Sequence, residues 1–586
     1  MPPSDPTPAY AGAGAAGSSL ARSVRGPRWG LRIEPATLVW IALIAALLFL
    51  VALPMTKLLI VSFTTRSGAF TFANYITAYG RARYLDALIN SLLLACATTA
   101  YSILFAVPMA WAMSRTDMPG KTFIWLTVLG AFILPPYLGA IGWILLAGPN
   151  AGFINQLWRW LSGAEAPLFN VYTFNGLALV MAMQSFPLIF IFVKSALDLV
   201  SSEMEDAANI LGAGMWKALR KVTLPLVVPS IIGSSILVFL EAVALFGTPA
   251  IIGIPARINV ATTQLWQFFE YPVRVDVAAA YAMPLLLITL AMVGMQRMLV
   301  SRRGFVSQTG KGGERRPIQL GAWRWLLLLW CLLVGLLAVV LPMLVLIEAS
   351  FAKAWGRGLT LDNFTLQNYR FLIFQHETAL STIWNTVWFS GVSATIAVVL
   401  ALLAAYVVNR RLVRFGGALS FLAMAPFVIP GIVMAIGFYA SYAAPPLALY
   451  GTATIIILAF TARFLPIAFA NSNAAIGALH PEMEEAARIL GCGRLQTIVR
   501  ITAPLLRKSL LAGWLIVFIV ATRELSTAIF LVGPNTRTMA VLLYDLSEAG
   551  NFEVLAALGG ILLAITFVLV GIGMKLIGRD FMLRRT

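Results

Sequence analysis

Charge is the scarcest ingredient of this 586-residue chain: 11% of its residues are Asp, Glu, Lys or Arg, against about 25% in soluble globular domains. Apolar residues make up 60% and the mean hydropathy is +0.87. Such a surplus has to face lipid, which excludes a soluble globular protein. Cysteine is almost missing. Cys96, Cys331 and Cys492 share no close spacing, which excludes a disulfide framework and a Cys-rich metal site. The two histidines, His376 and His480, are far apart and no H-E-x-x-H occurs. We therefore expect no metal and no cofactor, and read these five residues as packing or surface positions. A nucleotide-binding loop is lacking too. Gly120-Lys121-Thr122 resembles its tail, but the pattern needs a glycine where Arg115 stands, and the stretch follows an apolar run rather than a soluble strand.

The charge that is present is lopsided, at +18. Because the basic residues sit between apolar runs, the positive-inside rule accounts for them and no nucleic-acid partner is implied. A spanning helix needs roughly 20 apolar residues. Twelve such runs can be read: 36–64, 86–113, 122–147, 176–198, 226–255, 276–300, 322–349, 385–410, 418–445, 450–473, 505–533 and 550–577. The expected fold is an all-α integral membrane protein with twelve transmembrane helices.

Residues 1–35 are rich in Pro, Ala, Gly and Ser and read as a disordered cytoplasmic tail. The first run is too long for a signal peptide core and ends in no A-x-A site. With the N-terminus inside, 29 of the 42 basic residues fall on the cytoplasmic side when the seven at the inner ends of spans are counted with it, 10 fall outside, and Lys57, Arg463 and Arg523 lie deeper within spans. The opposite orientation would invert that bias. Both termini, including the tail 578–586, are expected in the cytoplasm of a bacterium, the spans crossing its inner membrane.

The chain repeats itself. Residues 203–226, EMEDAANILGAGMWKALRKVTLPL, align without a gap on 482–505, EMEEAARILGCGRLQTIVRITAPL, at an offset of 279. Asn90, Pro135 and Gly142 align with Asn385, Pro430 and Gly437 at an offset of 295. The first half thus carries 16 extra residues, placed in 148–175, where an amphipathic segment could rest on the outer membrane face. Two parallel six-span halves follow, 36–300 and 322–577, joined by a cytoplasmic linker, 301–321. Parallel repeats pack about an axis along the membrane normal, and a pore is expected there.

The repeated motif lies between the fourth and fifth spans of each half, at about 201–222 and 480–501. Met204, Ala207, Ala208 and Leu211 recur at i, i+3, i+4 and i+7, as do Met483, Ala486, Ala487 and Leu490, the signature of a short helix with one apolar stripe. Ser202 and Glu205 have the spacing of a capping box. Pro481 and Glu482 suit a helix start, and Gly212 and Gly491 suit its end. A plain connecting helix would explain one copy. Two copies keeping the same acidic start, alanine pair and glycine fit docking helices for a pair of identical partners.

The motif resembles the EAA loop of binding-protein-dependent ABC importer permeases, whose pattern is E-A-A, three residues, G, and later L-P. Glu485-Ala486-Ala487, Gly491 and Pro504 match, with Ala503 in place of leucine; the first copy has Asp206-Ala207-Ala208, Gly212 and Leu224-Pro225. The resemblance implies type I importer permease architecture, with Glu203, Asp206, Ala207, Ala208 and Gly212, and Glu482, Glu485, Ala486, Ala487 and Gly491, on coupling helices that sit in grooves of two cytoplasmic ATPases. The near-identity of the two copies points to an ATPase homodimer. A periplasmic binding protein would deliver the solute. ATP hydrolysis would belong to the ATPases, so the chain itself is expected to be a permease and not an enzyme. FGTPAIIG (246–253) and RELSTAIFLVGPNT (523–536) are most similar to the fused ferric-iron permeases; related permeases handle thiamine, polyamines and phosphonates. A major-facilitator-type secondary transporter, also of two six-span halves, and an ion channel are the alternatives from other classes.

Ionisable groups inside spans are costly. Glu241, Arg463, Arg523 and Glu524 stand there without counterparts in the other half. They either line a polar pathway for a cationic substrate, or the arginines neutralise neighbouring glutamates and hold helices together.

Overall fold

The computed structural model describes residues 35–65, 67–301, 317–358 and 360–577. Residues 1–34 of the first tail, the tail 578–586 and most of the linker 301–321 lie outside the described residues. Among the described residues, nine helices are long and apolar enough to cross a membrane, and three bent pairs, each counted as one span, raise the total to twelve. The unbroken spans are Ala36–Ser62, Ala82–Arg115, Phe174–Leu199, Trp216–Ala244 and Val275–Gln296 in the first half, and Trp323–Ser350, Ala379–Asn409, Ala453–Gly477 and Phe552–Ile577 in the second.

Three expected spans are not straight helices. The third consists of Lys121–Ile133 and Pro136–Ala147, bent by 106°. The ninth consists of Gly416–Phe427 and Gly431–Tyr442, bent by 109°. Each breaks at an aligned proline, Pro135 or Pro430, because proline gives no N–H to the carbonyl four residues back and its ring crowds it. The eleventh divides into Arg494–Leu505 and Arg507–Thr522, bent by 79°. The fifth ends at Ala244 rather than 255, and the eleventh at Thr522 rather than 533. Proline also widens the helices. Five-residue π segments, Leu48–Ala52, Leu219–Thr223, Leu336–Val340 and Ile498–Thr502, stop two residues before Pro54, Pro225, Pro342 and Pro504. The chain takes up the unmatched carbonyl with a longer turn.

Within each half, the second and fourth spans pack closely, with the fifth against both. Small residues allow this. Ala87, Ser91, Thr98, Ser102 and Ala106 are buried along the second span, and Thr382, Thr386, Ser393, Ala397 and Ala401 occupy the same register on the eighth. Without a hydrophobic drive between helices in lipid, such stripes bring backbones together. The aligned Asn90 and Asn385 donate to loop carbonyls beyond the fifth and eleventh spans, at Asn259 (3.1 Å) and Asn535 (3.0 Å).

The first span of each half crosses to the other half. Residues 53–62 pack on Gly431–Tyr442, and 341–350 pack on Pro136–Ala147. Glycine makes the crossings fit. A Cβ on Gly437 would stand 2.9 Å from the Pro54 carbonyl oxygen, and one on Gly142 would stand 2.8 Å from Pro342 Cβ. The Tyr442 hydroxyl donates to the Phe49 carbonyl across the same seam.

Candidate functional site

Two regions carry the chemistry-bearing residues: the motif helices at one end of the bundle, and the breaks of the third and ninth spans in its middle.

The motif helices are Ser202–Ile210 and Glu482–Ile489. Each ends where expected. Gly212 and Gly491 have φ of +80° and +88°, a left-handed conformation that glycine adopts without steric cost. The Ala213 amide donates to Ala208 O (2.9 Å) and the Cys492 amide to Ala487 O (3.0 Å), closing both helices in the same way. Both then present an apolar tip: Ile210 and Leu211 are 85% and 87% exposed, Ile489 and Leu490 86% and 85%. Met204, Met483, Glu203, Glu482 and Glu485 are exposed beside them. The alanine pair does not act as a pair. Ala207 and Ala486 face outward, whereas Ala487 is buried against the bundle and Ala208 half-buried.

The capping-box expectation needs correcting. The Glu205 carboxylate goes to the membrane bundle, accepting from Thr223 Oγ1 at 2.5 Å and facing Arg115 Nη1 at 3.7 Å. Its counterpart Glu484 is buried likewise, paired with Arg410 at 2.9 Å. Neither glutamate stood among the coupling residues expected from the sequence. The available signal was the repeat itself, since Arg115, Glu205 and Thr223 recur as Arg410, Glu484 and Thr502 at the two known offsets.

In the middle of the bundle, the breaks leave backbone carbonyls without helical donors. Phe132 O would normally be served by residue 136, which is Pro136. Arg523, from the other half, donates instead to Phe132 O (2.6 Å) and Ile133 O (3.2 Å). At the second break Arg463 donates to Ile429 O (2.5 Å). Gln184, at the aligned position of the first half, donates to Pro136 O (2.7 Å). Thr248 and Thr527, also aligned, reach Pro136 O (3.2 Å) and Gly431 O (3.3 Å). Each break is thus held by one side chain from the fourth or tenth span and one threonine from the segment after the fifth or eleventh.

This arrangement alters the reading of the intramembrane charges. Among the described residues, neither Glu241 nor Glu524 makes a direct ion pair with Arg463 or Arg523. Glu524 accepts from the Thr527 amide (2.9 Å) and hydroxyl (3.0 Å). Glu241 lies near Ser185 and within electrostatic reach of Arg523. The Glu241 side chain is itself exposed rather than packed. Beyond it an aromatic cluster spans the seam. Phe246, Trp266 and Phe269 of one half meet Phe530, Tyr544 and Tyr439 of the other, with ring centroids 4.8–6.4 Å apart.

The profile of the binding-protein-dependent transport system inner membrane component matches residues 71–304 and again 397–581, well over half of the chain. The chain belongs to this family. The double match also agrees with the two halves read from the repeat, and it sets aside the secondary-transporter and channel alternatives. Among curated relatives, the ferric transport system permease protein FbpB of Actinobacillus pleuropneumoniae is 26% identical over 90% of this chain and 76% of its own length. A putative ferric transport system permease protein FbpB 1 of Haemophilus influenzae is 28% identical over 76% of this chain and 69% of its own. The molybdenum transport system permease protein ModB of Escherichia coli is 29% identical over 32% of this chain and 80% of its own. The 16 extra residues of the first half include the helix Phe153–Ser162, on which Leu157, Trp160 and Leu161 are exposed.

Proposed function

We propose that this chain is the permease of an ATP-driven importer that passes ferric iron from a periplasmic binding protein to the cytoplasm. The motif helices lie on the cytoplasmic side of the bacterial inner membrane with both termini, and each seats in one of two identical ATPases. The observation that carries the reading is the pair of matched helices at one end of the bundle, each showing an apolar Ile-Leu tip and an acidic flank. Exposed apolar pairs that lie outside a membrane mark protein contacts. Transport would proceed by rocking of the two halves about the seam, which would part the aromatic cluster on one side and open the space around Glu241 on the other. The chain carries no ATP chemistry of its own in this scheme. Iron is supported by the two FbpB relatives that cover most of the chain.

The test is to purify the chain with the ATPase encoded beside it, reconstitute it, and measure ATP hydrolysis with empty, ferric-loaded and molybdate-loaded binding protein. Stimulation by the ferric form, lost with Gly212→Pro plus Gly491→Pro, is the expected result. Stimulation by molybdate alone would retain the importer and overturn iron. Failure of any ATPase to associate would overturn the docking role.

A further inference from the structure

We propose that Arg115, Glu205 and Thr223, and their equivalents Arg410, Glu484 and Thr502, are the positioning residues that hand movement of each motif helix to the spans. The proposal rests on the docking role just described, and goes beyond it by naming the linkage.

One carboxylate gathers four chain segments in each half. Glu484 Oε2 accepts from Arg410 Nε at 2.9 Å, and Glu484 Oε1 from Arg410 Nη2 at 3.0 Å and Thr502 Oγ1 at 3.1 Å. The Tyr406 hydroxyl lies near the same carboxylate. Arg410 Nη2 also donates to Leu479 O at 3.2 Å. In the first half, Glu205 accepts from Thr223 and faces Arg115, whose Nη2 donates to Val200 O at 2.7 Å. The arginine, glutamate, threonine and carbonyl all recur at the aligned positions. Arg115 closes the second span and Arg410 follows the eighth; Val200 and Leu479 follow the fourth and tenth; Thr223 and Thr502 lie in the opening turns of the fifth and eleventh.

Burial separates these two glutamates from their neighbours. Glu205 and Glu484 are buried, whereas Glu203, Glu482 and Glu485 on the same helices are exposed. The outward face is left for a partner, and the inward face is tied by charge. A bidentate arginine–carboxylate pair fixes direction as well as distance, whereas apolar side chains can slide. Removing one member leaves a buried charge unmatched, which is costly. The threonine completes the path. The fifth span, beginning near Thr223, leads to Glu241 and Thr248; the eleventh, beginning near Thr502, leads to Arg523 and Thr527. A push on a motif helix therefore reaches the helix whose far end holds a mid-bundle break.

The test uses the full chain reconstituted with its ATPase and ferric-loaded binding protein, recording ATPase retention, basal hydrolysis and iron taken up per ATP hydrolysed. Glu484→Gln is expected to hold the ATPase and keep basal hydrolysis while iron per ATP falls about tenfold, as loss of a buried charge partner implies. Iron per ATP unchanged with the ATPase bound would overturn the linkage alone. If Glu484→Gln does not assemble, Thr502→Val decides: it keeps the ion pair, a fall of about twofold or more is expected from one lost hydrogen bond, and an unchanged ratio overturns the proposal. A wild-type chain that binds no ATPase overturns the docking role and the linkage together.

Discussion

Replacing Arg523 with methionine removes the two bonds that this side chain sends across the seam and keeps its length. Both acceptors, Phe132 O and Ile133 O, lie at the end of a helix cut short by Pro135 and Pro136. A hydrogen bond from a charged donor contributes about 1.5–3 kcal/mol. The Phe132 bond is exposed, whereas the Ile133 bond is partly buried. The expected loss is therefore that of about one such bond, roughly 2–3 kcal/mol, or about 30- to 150-fold in the unfolding equilibrium. Unfolding the purified chain in mixed micelles with rising SDS, followed by tryptophan fluorescence, reads the midpoint shift. Arg523→Lys should lose about half as much, because one ammonium replaces a two-pronged donor. A midpoint that moves by less than about 0.5 kcal/mol for Arg523→Met, near the floor for one hydrogen bond, would refute the capping role.

Arg463→Gln should be nearly neutral in the same assay, since Gln184 does that work in the other half, whereas Arg463→Leu should cost about 1.5–3 kcal/mol; equal losses would contradict the equivalence. Gly437→Val should destabilise by about 1–3 kcal/mol through overpacking against Pro54, with a lower thermal midpoint in detergent as the readout, and no shift would mean that the crossing is loose. Ile210→Asp with Ile489→Asp should leave that midpoint unchanged, because both side chains are largely exposed, yet lower ATPase retention on co-purification. Full retention would place the contact elsewhere.

Hydropathy made the twelve runs legible, because a lipid-facing helix must be apolar over its whole length. It could not show that two of them turn through more than 100°. The prolines were visible and even aligned, but a proline marks a kink or a break equally well. The motif ends were legible for a different reason: Gly212 and Gly491 answer to local backbone geometry. Partners distant in sequence were not legible. Arg523 serves carbonyls 391 and 390 residues away, and no spacing rule joins such positions. Glu205 and Glu484 were hidden by their company, since a carboxylate in the first turn of a helix already suits the helix dipole. Only the neighbouring spans turn them inward.

The crossing of the first spans bears on how the chain is made. Pro54 leaves the ribosome long before Gly437, its partner in the other half, 383 residues further along the chain. At about 5–20 residues per second, that interval is roughly 20–80 s. Throughout it the first span has only the part of its seat that Val275–Ser301 of its own half provides, and the groove for residues 341–350 along Pro136–Ala147 stands empty until the second half begins to arrive. A nascent chain in that condition depends on lipid, or on an insertion chaperone, to cover both surfaces. Synthesis arrested between the halves would leave a fragment that the cell's membrane proteases can recognise as incomplete.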